Sequence, residues 1–389
     1  MRRRRRTGTR PPRVVHLTTV HPWDDVRIYH KMCRSLSAQG WHVSLVAPVD
    51  AVPGDAAVEV VGIPRASGRF ARLLKPQVAA WRAVRRLDPD LVHFHDPELL
   101  FLGAVLKLQG RAVIYDAHED IAKQIRGKFW IPRGLRLPLS IVVRCVETVL
   151  AFTFDHVVTA TAPIRLHFRE SRSTVIHNFP SLEEFPADPA SSPPRTREFV
   201  SYVGGLTEVR GIAELVNAIE HVRSNDVRLA LAGKFAPAEF EERVRALPGW
   251  KKTAMFGWLG RDEVADLLSR SVLGLVILHP TPNHLESMPI KMFEYMAAGI
   301  PSVVSDFEHF RVLGGPNALY VDPLDPNAIA DAIDWILANP DAAEQMGARG
   351  RQLVEGELNW EVEAERLGDV YRHILGAPHA PSAPQPTSS

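Results

Sequence analysis

Two acids with seven residues between them, Glu286 and Glu294, flank a loop and the start of a helix in HPTPNHLESMPIKMFEYMAAGIPSVVSD, residues His279–Asp306. An apolar run, Val272–Leu278, comes before it and reads as a buried strand. From about Ile290 the apolar spacing becomes helical, with Ile290, Phe293, Met296 and Ala297 on one stripe. Gly299 stands where a left-handed cap ends that helix, and Pro301 forbids its continuation. A second apolar run, Ile300–Val304, follows. Strand, loop, helix and strand in that order call for a parallel sheet, whose ligands bind at the carboxyl ends of its strands. The helix starts near Met288 or Pro289, so free N–H groups around Met288, Pro289 and Ile290 favour an anion, most naturally phosphate. Carboxylates repel phosphate but accept hydrogen bonds from hydroxyl groups. The pattern therefore asks for phosphate flanked by hydroxylated rings, as in a nucleotide sugar. Taken singly, Glu294 could be a first-turn acid on the helix dipole and Glu286 a solvated loop acid.

Together, Glu286, Glu294 and the following Tyr-Met-Ala-Ala-Gly-Ile-Pro resemble the EX7E signature of retaining glycosyltransferases of family 4. The variant PIKMFEYMAAG is similar to the branch found in bacterial polysaccharide and natural-product clusters. The resemblance runs from about Arg13 to about Leu375. It implies an α/β protein of GT-B fold: two Rossmann-like doubly wound domains facing across a cleft, with the last helix crossing back onto the first. It also implies transfer of a sugar from a nucleoside diphosphate to a hydroxyl acceptor with retained configuration, needing no metal and no cofactor.

The flanking chain fits that layout. A chain of 389 residues is too long for one ordinary core, which predicts two domains. The expected division is a disordered basic arm, 1–12; an acceptor domain, 13–178; a Pro/Ser-rich linker, 179–197; a donor domain, 198–358; a returning helix, 359–375; and a disordered tail, 376–389. A net charge of +1 argues against a protein built to hold nucleic acid. Cys33 and Cys145 each sit in an apolar helical pattern and read as small core residues in a reducing cytoplasm. The most apolar long stretch, Pro138–Phe154, is broken by Arg144 and Glu147, so no span is expected. Arg2–Arg6 are not followed by an apolar region, which argues against a signal peptide. The expected location is the cytoplasm, with the inner membrane face as an option.

Further groups carry candidate chemistry. Gly204-Gly205 follows the strand Phe199–Val203, a phosphate-binding layout. The family usually has Gly-Arg, five residues and then Lys here. This chain has Gly205 in the Arg position and Arg210 in the Lys position, so Lys291 is the candidate second cation, with Lys234 beyond the next strand. By resemblance, Met255–Leu259 lies against the nucleotide base, Glu294 takes ribose hydroxyls and Glu286 takes sugar hydroxyls. His118, just past the strand Ala112–Asp116, matches the histidine beside the transferred sugar, although a helix cap is its plainer reading. The implied catalytic set is His118, Glu286 and Arg210.

In the glycine-free loop His21–Arg27, Asp25 and Arg27 are acceptor-side candidates or brace each other. Asp88-Pro89-Asp90 precedes a strand and reads as a turn rather than a metal motif. His93, His95, Asp96 and Glu98 invite a metal reading, but the two histidines share a strand face while the acids lie past its end, and Asp96 suits a helix cap. Lys128–Phe154, basic and aromatic, suits either a helix on a membrane surface, serving a lipid-linked acceptor, or a core helix with a solvated basic end. The alternatives left open are a sugar-nucleotide epimerase, a degenerate nucleotide-sugar binder, and a zinc hydrolase using His93, His95 and Asp96.

Overall fold

Short apolar runs alternate with amphipathic helices along the chain, and such runs are stable only where a sheet is covered on both faces. The computed structural model describes residues 10, 12–49, 54, 56–65, 75–128, 131–186 and 197–376. Arg2–Arg6, Phe129, Trp130, most of the linker and the tail 377–389 lie outside the described residues. The chain divides into one unit of Met1–Asn178 with Glu361–Ser389, and a second of Phe179–Trp360.

The first unit holds β1 (Arg13–Leu17), β2 (His42–Pro48), β3 (Glu59–Ile63), β4 (Leu91–Phe94), β5 (Ala112–Ala117), β6 (His156–Thr159) and β7 (Ser173–Val175), ordered β3-β2-β1-β4-β5-β6-β7. The second holds β8 (Phe199–Val203), β9 (Arg228–Ala232), β10 (Thr253–Gly257), β11 (Ser271–Val276), β12 (Ser302–Ser305) and β13 (Ala318–Val321), ordered β10-β9-β8-β11-β12-β13. The pairings within both sheets are parallel. Each sheet grows in one direction and then reverses, between β1 and β4 and between β8 and β11. Loops leaving those neighbours diverge and open a crevice at the carboxyl ends.

Alternation along the first sheet separates two surfaces. Val15, Leu17, Val92, Phe94, Val113 and Tyr115 pack into an apolar core. The intervening His16, His93 and Asp116, with His95 past the end of β4, are fully buried polar groups. The last helix, Trp360–Leu375, joins this unit from Glu361 onward. Gln39 Nε2 donates to the Ala364 carbonyl at 3.0 Å, and Tyr371 is buried against His93.

Several local readings shift. The helix expected from Ile28 to Gln39 begins as a π-helical segment, Val26–Cys33, and continues as Arg34–Ala38. Asp25 starts it by accepting from the N–H groups of Arg27 and Ile28, both at 2.9 Å. Asp96 does not accept a cap bond from the turn Pro97–Leu99. The Asp88–Asp90 segment is a turn, and the Asp90 carboxylate takes the Arg13 N–H at 2.9 Å to hold the start of β1. Cys33 is buried as expected, but Cys145 is exposed, because nothing among the described residues covers the outer face of the helix Arg133–Ala151.

Two glycines let the ends of β8 and β9 close on each other. Gly204 has φ +146° and Gly233 φ +151°, and a Cβ on Gly233 would lie 1.8 Å from the Gly204 carbonyl oxygen. Replacing Gly233 by Ala must displace the turn after β8 and strain the backbone, costing roughly 3 kcal/mol or more. Urea unfolding of Gly233→Ala should show that loss; an unchanged midpoint would contradict the close approach.

Candidate functional site

The second unit places three polar segments at the β8/β11 reversal. Tyr202, near the end of β8, donates its hydroxyl to the Gly205 carbonyl at 3.0 Å and is also hydrogen-bonded by the Arg210 side chain. Burial pushes the Tyr202 phenol up, against the pull of Arg210. From the point where a Gly204 Cβ would sit, the Tyr202 hydroxyl is 3.3 Å away, Arg210 Nη1 3.4 Å and Lys291 Cε 3.6 Å. The two cationic side chains named from the sequence thus meet over one residue without a Cβ. Gly211, φ +67°, holds the Arg210 turn against the end of β11, where a methyl would come 2.4 Å from the Ile277 carbonyl oxygen. The His279 N–H donates to the Val209 carbonyl at 2.9 Å and ties the following loop to the same turn.

Lys291 opens the helix Ile290–Ala297, which ends at Gly299 with φ +67°, the left-handed cap anticipated. The start of this helix offers fewer backbone donors than the sequence implied. Pro289 has no N–H, and the Ile290 N–H donates to the Met288 carbonyl at 2.9 Å. Glu294 is buried on this helix, and both its oxygens are engaged: Oε1 by Arg261 Nη1 at 3.0 Å and Oε2 by Lys291 Nζ at 2.9 Å. Arg261 also binds Glu184. Sequence reasoning missed Arg261, whose only signal was a cation in the first turn of a helix. Glu286 is exposed in the loop. Lys234 Nζ lies 5.6 Å from the ring centroid of Trp258, which is 73% exposed just beyond β10.

In the first unit, Asp25 and Arg27 do not pair through their side chains. Buried Arg27 reaches across the sheet, donating from Nη2 and Nε to Asp116 at 3.0 and 3.1 Å and from Nη1 to the Ile176 carbonyl at 3.1 Å. Those bonds engage its guanidinium within the unit, so the structure does not support Arg27 as an acceptor-side group. Asp25 faces His21, Nδ1 to Oδ2 3.4 Å. Burial opposes its ionisation, but His21 and the Ile28 N–H prevail, and its pKa falls to about 2. His118 is mostly buried; its Nδ1 has no hydrogen-bond partner and lies 3.9 Å from Asp116 Oδ2.

The metal reading also changes. Asp96 turns to the β1 end, accepting from Thr18 Oγ1 at 3.0 and 3.1 Å and from Thr19. The third group near His93 and His95 is His16, directly across the ladder from His93, and these three could hold an ion, with nitrogens within 4.8 Å of one another. They are instead hydrogen-bonded among themselves and to their neighbours. Burial, with His93 adding, holds His16 well below the usual imidazole range; burial and His95 do the same to His93. Burial brings His95 to about 3 despite Asp116. Asp116 stays well below the usual carboxylate range because Arg27 and His95 outweigh its burial.

On Arg133–Ala151 the basic reading is corrected. Arg136 Nε donates to the Ile131 carbonyl at 2.8 Å, and Arg144 binds Glu147 and Asp120. The exposed face is apolar: Leu135, Leu139, Val142 and Val149 share one stripe, continued by Phe152. No helix among the described residues is long and apolar enough to cross a membrane.

Residues 26–184 match the profile of Glycosyltransferase Family 4, and residues 185–353 that of Glycosyl transferases group 1. The chain is 25% identical over 315 residues to a glycogen synthase of Mycobacterium tuberculosis, covering 78% of this chain and 72% of that protein. It superposes on sucrose-phosphate synthase of Thermosynechococcus elongatus with TM-score 0.74 at 22% identity, covering 94% and 100%. It superposes on Anabaena HepE, crystallised with UDP and glucose, with TM-score 0.70 at 12% identity, covering 93% and 100%.

The three buried histidines make stability depend on pH. Each has a folded pKa below its unfolded value near 6.5, so below that pH the unfolded chain takes up protons that the fold refuses. Their contribution is complete above the unfolded value and is lost as pH falls toward the folded one. Each group contributes a slope of about 1.4 kcal/mol per pH unit, or roughly 4 for the three. His21, whose pKa is raised through Asp25 and Asp96 despite burial, works the other way but is one group. Urea midpoints should fall steeply between pH 7 and pH 5, and a flat profile would show that these imidazoles are not held neutral.

Proposed function

The chain belongs to the family 4 glycosyltransferases, enzymes of GT-B fold, and from that premise we propose that its donor is a nucleoside-diphosphate sugar, bound at the β8/β11 reversal of the second unit. The observation that carries this reading is the meeting of Arg210 and Lys291 over Gly204, at the strand ends where open parallel sheets bind ligands. Arg210 grips the diphosphate with its planar fork. Lys291 leaves Glu294 to bind phosphate, while Arg261 stays and keeps the buried carboxylate matched. Glu294 then has an oxygen for ribose hydroxyls, Glu286 takes hydroxyls of the sugar, and exposed Trp258 offers its face to the base. In Anabaena HepE the bound molecules are UDP and glucose, which supports the ligand class.

The reaction breaks the bond between the sugar's anomeric carbon and the diphosphate oxygen. It forms a new bond from the same carbon to the acceptor oxygen, with configuration retained as the EX7E resemblance implies. The acceptor proton passes to an oxygen of the departing diphosphate. Arg210, Lys291 and the amino end of Ile290–Ala297 offset the charge that develops there, so no metal is called for. In the first unit, neutral His118 offers a lone pair to a sugar hydroxyl of the substrates.

The acceptor is lipid-linked in this reading, and the apolar stripe of Arg133–Ala151 rests on the membrane surface. Its aliphatic side chains, Leu135, Leu139, Val142 and Val149, are exposed. Exposed Arg133 lies at one end, and Arg169 stands 5.4 Å from the Phe152 ring at the other, placed to meet anionic headgroups.

Arg210→Ala and Glu286→Ala should each lower sugar transfer by at least about tenfold in proteins that melt like the parent. Unchanged turnover in both would remove this site. Flotation with anionic vesicles should carry the parent but not Leu139→Glu/Val142→Glu; a dimer in light scattering, broken by the same pair without flotation, would instead make the stripe a contact between copies.

A further inference from the structure

The buried polar cluster of the first unit reads as a sequence of bonds with one direction. Asp116 is ionised against Arg27 and only accepts, so His95 Nδ1, 2.9 Å from Oδ2, must donate. A neutral His95 then offers a lone pair at Nε2, and His16 Nδ1 donates to it at 2.9 Å. His16 Nε2 is left as an acceptor and takes the Tyr371 hydroxyl proton at 3.1 Å. The Tyr371 oxygen accepts from His93 Nδ1 at 2.7 Å, and His93 Nε2 ends the chain without a partner. Every proton position follows from the one before it.

The geometry points to a positioning network: Tyr371, His93, His16 and His95 orient Asp116, and Asp116 in turn sets His118 with its proton on Nδ1 and a free lone pair on Nε2. The Asp116 oxygen nearest His118 already takes Arg27 Nε and His95 Nδ1, which fixes the carboxylate plane. His118 is two residues on, on the same side of the strand. Its partnerless Nδ1 lies 3.9 Å from that oxygen, and the negative charge favours N–H over a lone pair there. Nε2 is then an acceptor, the form a sugar hydroxyl requires. This rests on the reading of His118 as a sugar-binding group. A metal ion is a poorer occupant of the trio, since Asp116, the one anion bonded to it, is already matched by Arg27.

Long-range proton–nitrogen NMR of histidine-labelled parent protein tests the chain directly. His16, His93, His95 and His118 should each carry the proton on Nδ1. An Nε2–H tautomer at His16, His93, His95 or His118, or a stoichiometric metal ion in the purified protein, would overturn the proposal. Tyr371→Phe keeps the ring and removes the hydroxyl. It should free the His16 and His93 tautomers and lower kcat by about threefold or more, with the donor KM within about twofold. A changed tautomer with unchanged kcat would reduce the network to packing. If Tyr371→Phe does not fold, the tautomers of the parent still decide. His118→Ala separates the two readings: unchanged transfer would remove the sugar role of His118 while leaving the bond directions standing.

Discussion

The second unit of the protein depends on a contact between two backbones. The Gly204 N–H bonds the Ala232 carbonyl at 2.8 Å, and the Gly204 carbonyl lies where any side chain on Gly233 would begin. Only glycine at both places lets the turns after β8 and β9 lie so close. Gly204 has no Cβ, and both Arg210 and Lys291 come within 3.6 Å of where one would stand. In the proposed phosphate site, the cation that the loop lacks at Gly205 would come from Lys291, in the opening turn of a helix that follows a different strand.

The two units manage buried charge differently, and the difference suits the roles proposed for them. Glu294 is balanced by two cations from separate elements, so one can turn to an arriving phosphate while the other remains. Asp116 is balanced by a guanidinium with three fixed acceptors and by an imidazole with its own fixed chain. Losing Arg27 would strand the Asp116 charge in a low-dielectric interior, and losing His95 would leave one of its lone pairs unmet, so the arrangement is rigid. The first kind of network suits the proposed ligand exchange, and the second suits a group proposed to be held in one orientation.

The elements themselves were legible in the sequence because their signals are local. The apolar runs, the helical stripe after Ile290, the glycine cap at Gly299 and the turn at Asp88–Asp90 each depend on residues within about one turn of each other. The resemblance carried by Glu286 and Glu294 brought in the fold, and the missing cation at Gly205 pointed to Lys291. The faces of β4 were also readable: alternation alone puts His93 and His95 on one side.

What periodicity does not encode is which strand lies beside which, and every misplaced partner came from that. Arg27 reaches Asp116 across 89 positions, His16 reaches His95 across 79, and Arg261 reaches Glu294 across 33. Asp25 and Arg27 are near neighbours in the chain, yet the backbone turns one to the loop and the other into the core. The residue types that can do chemistry were determined by the sequence. Which of them meet, and which are bound into the interior, was decided only when strand order brought distant side chains within hydrogen-bond range.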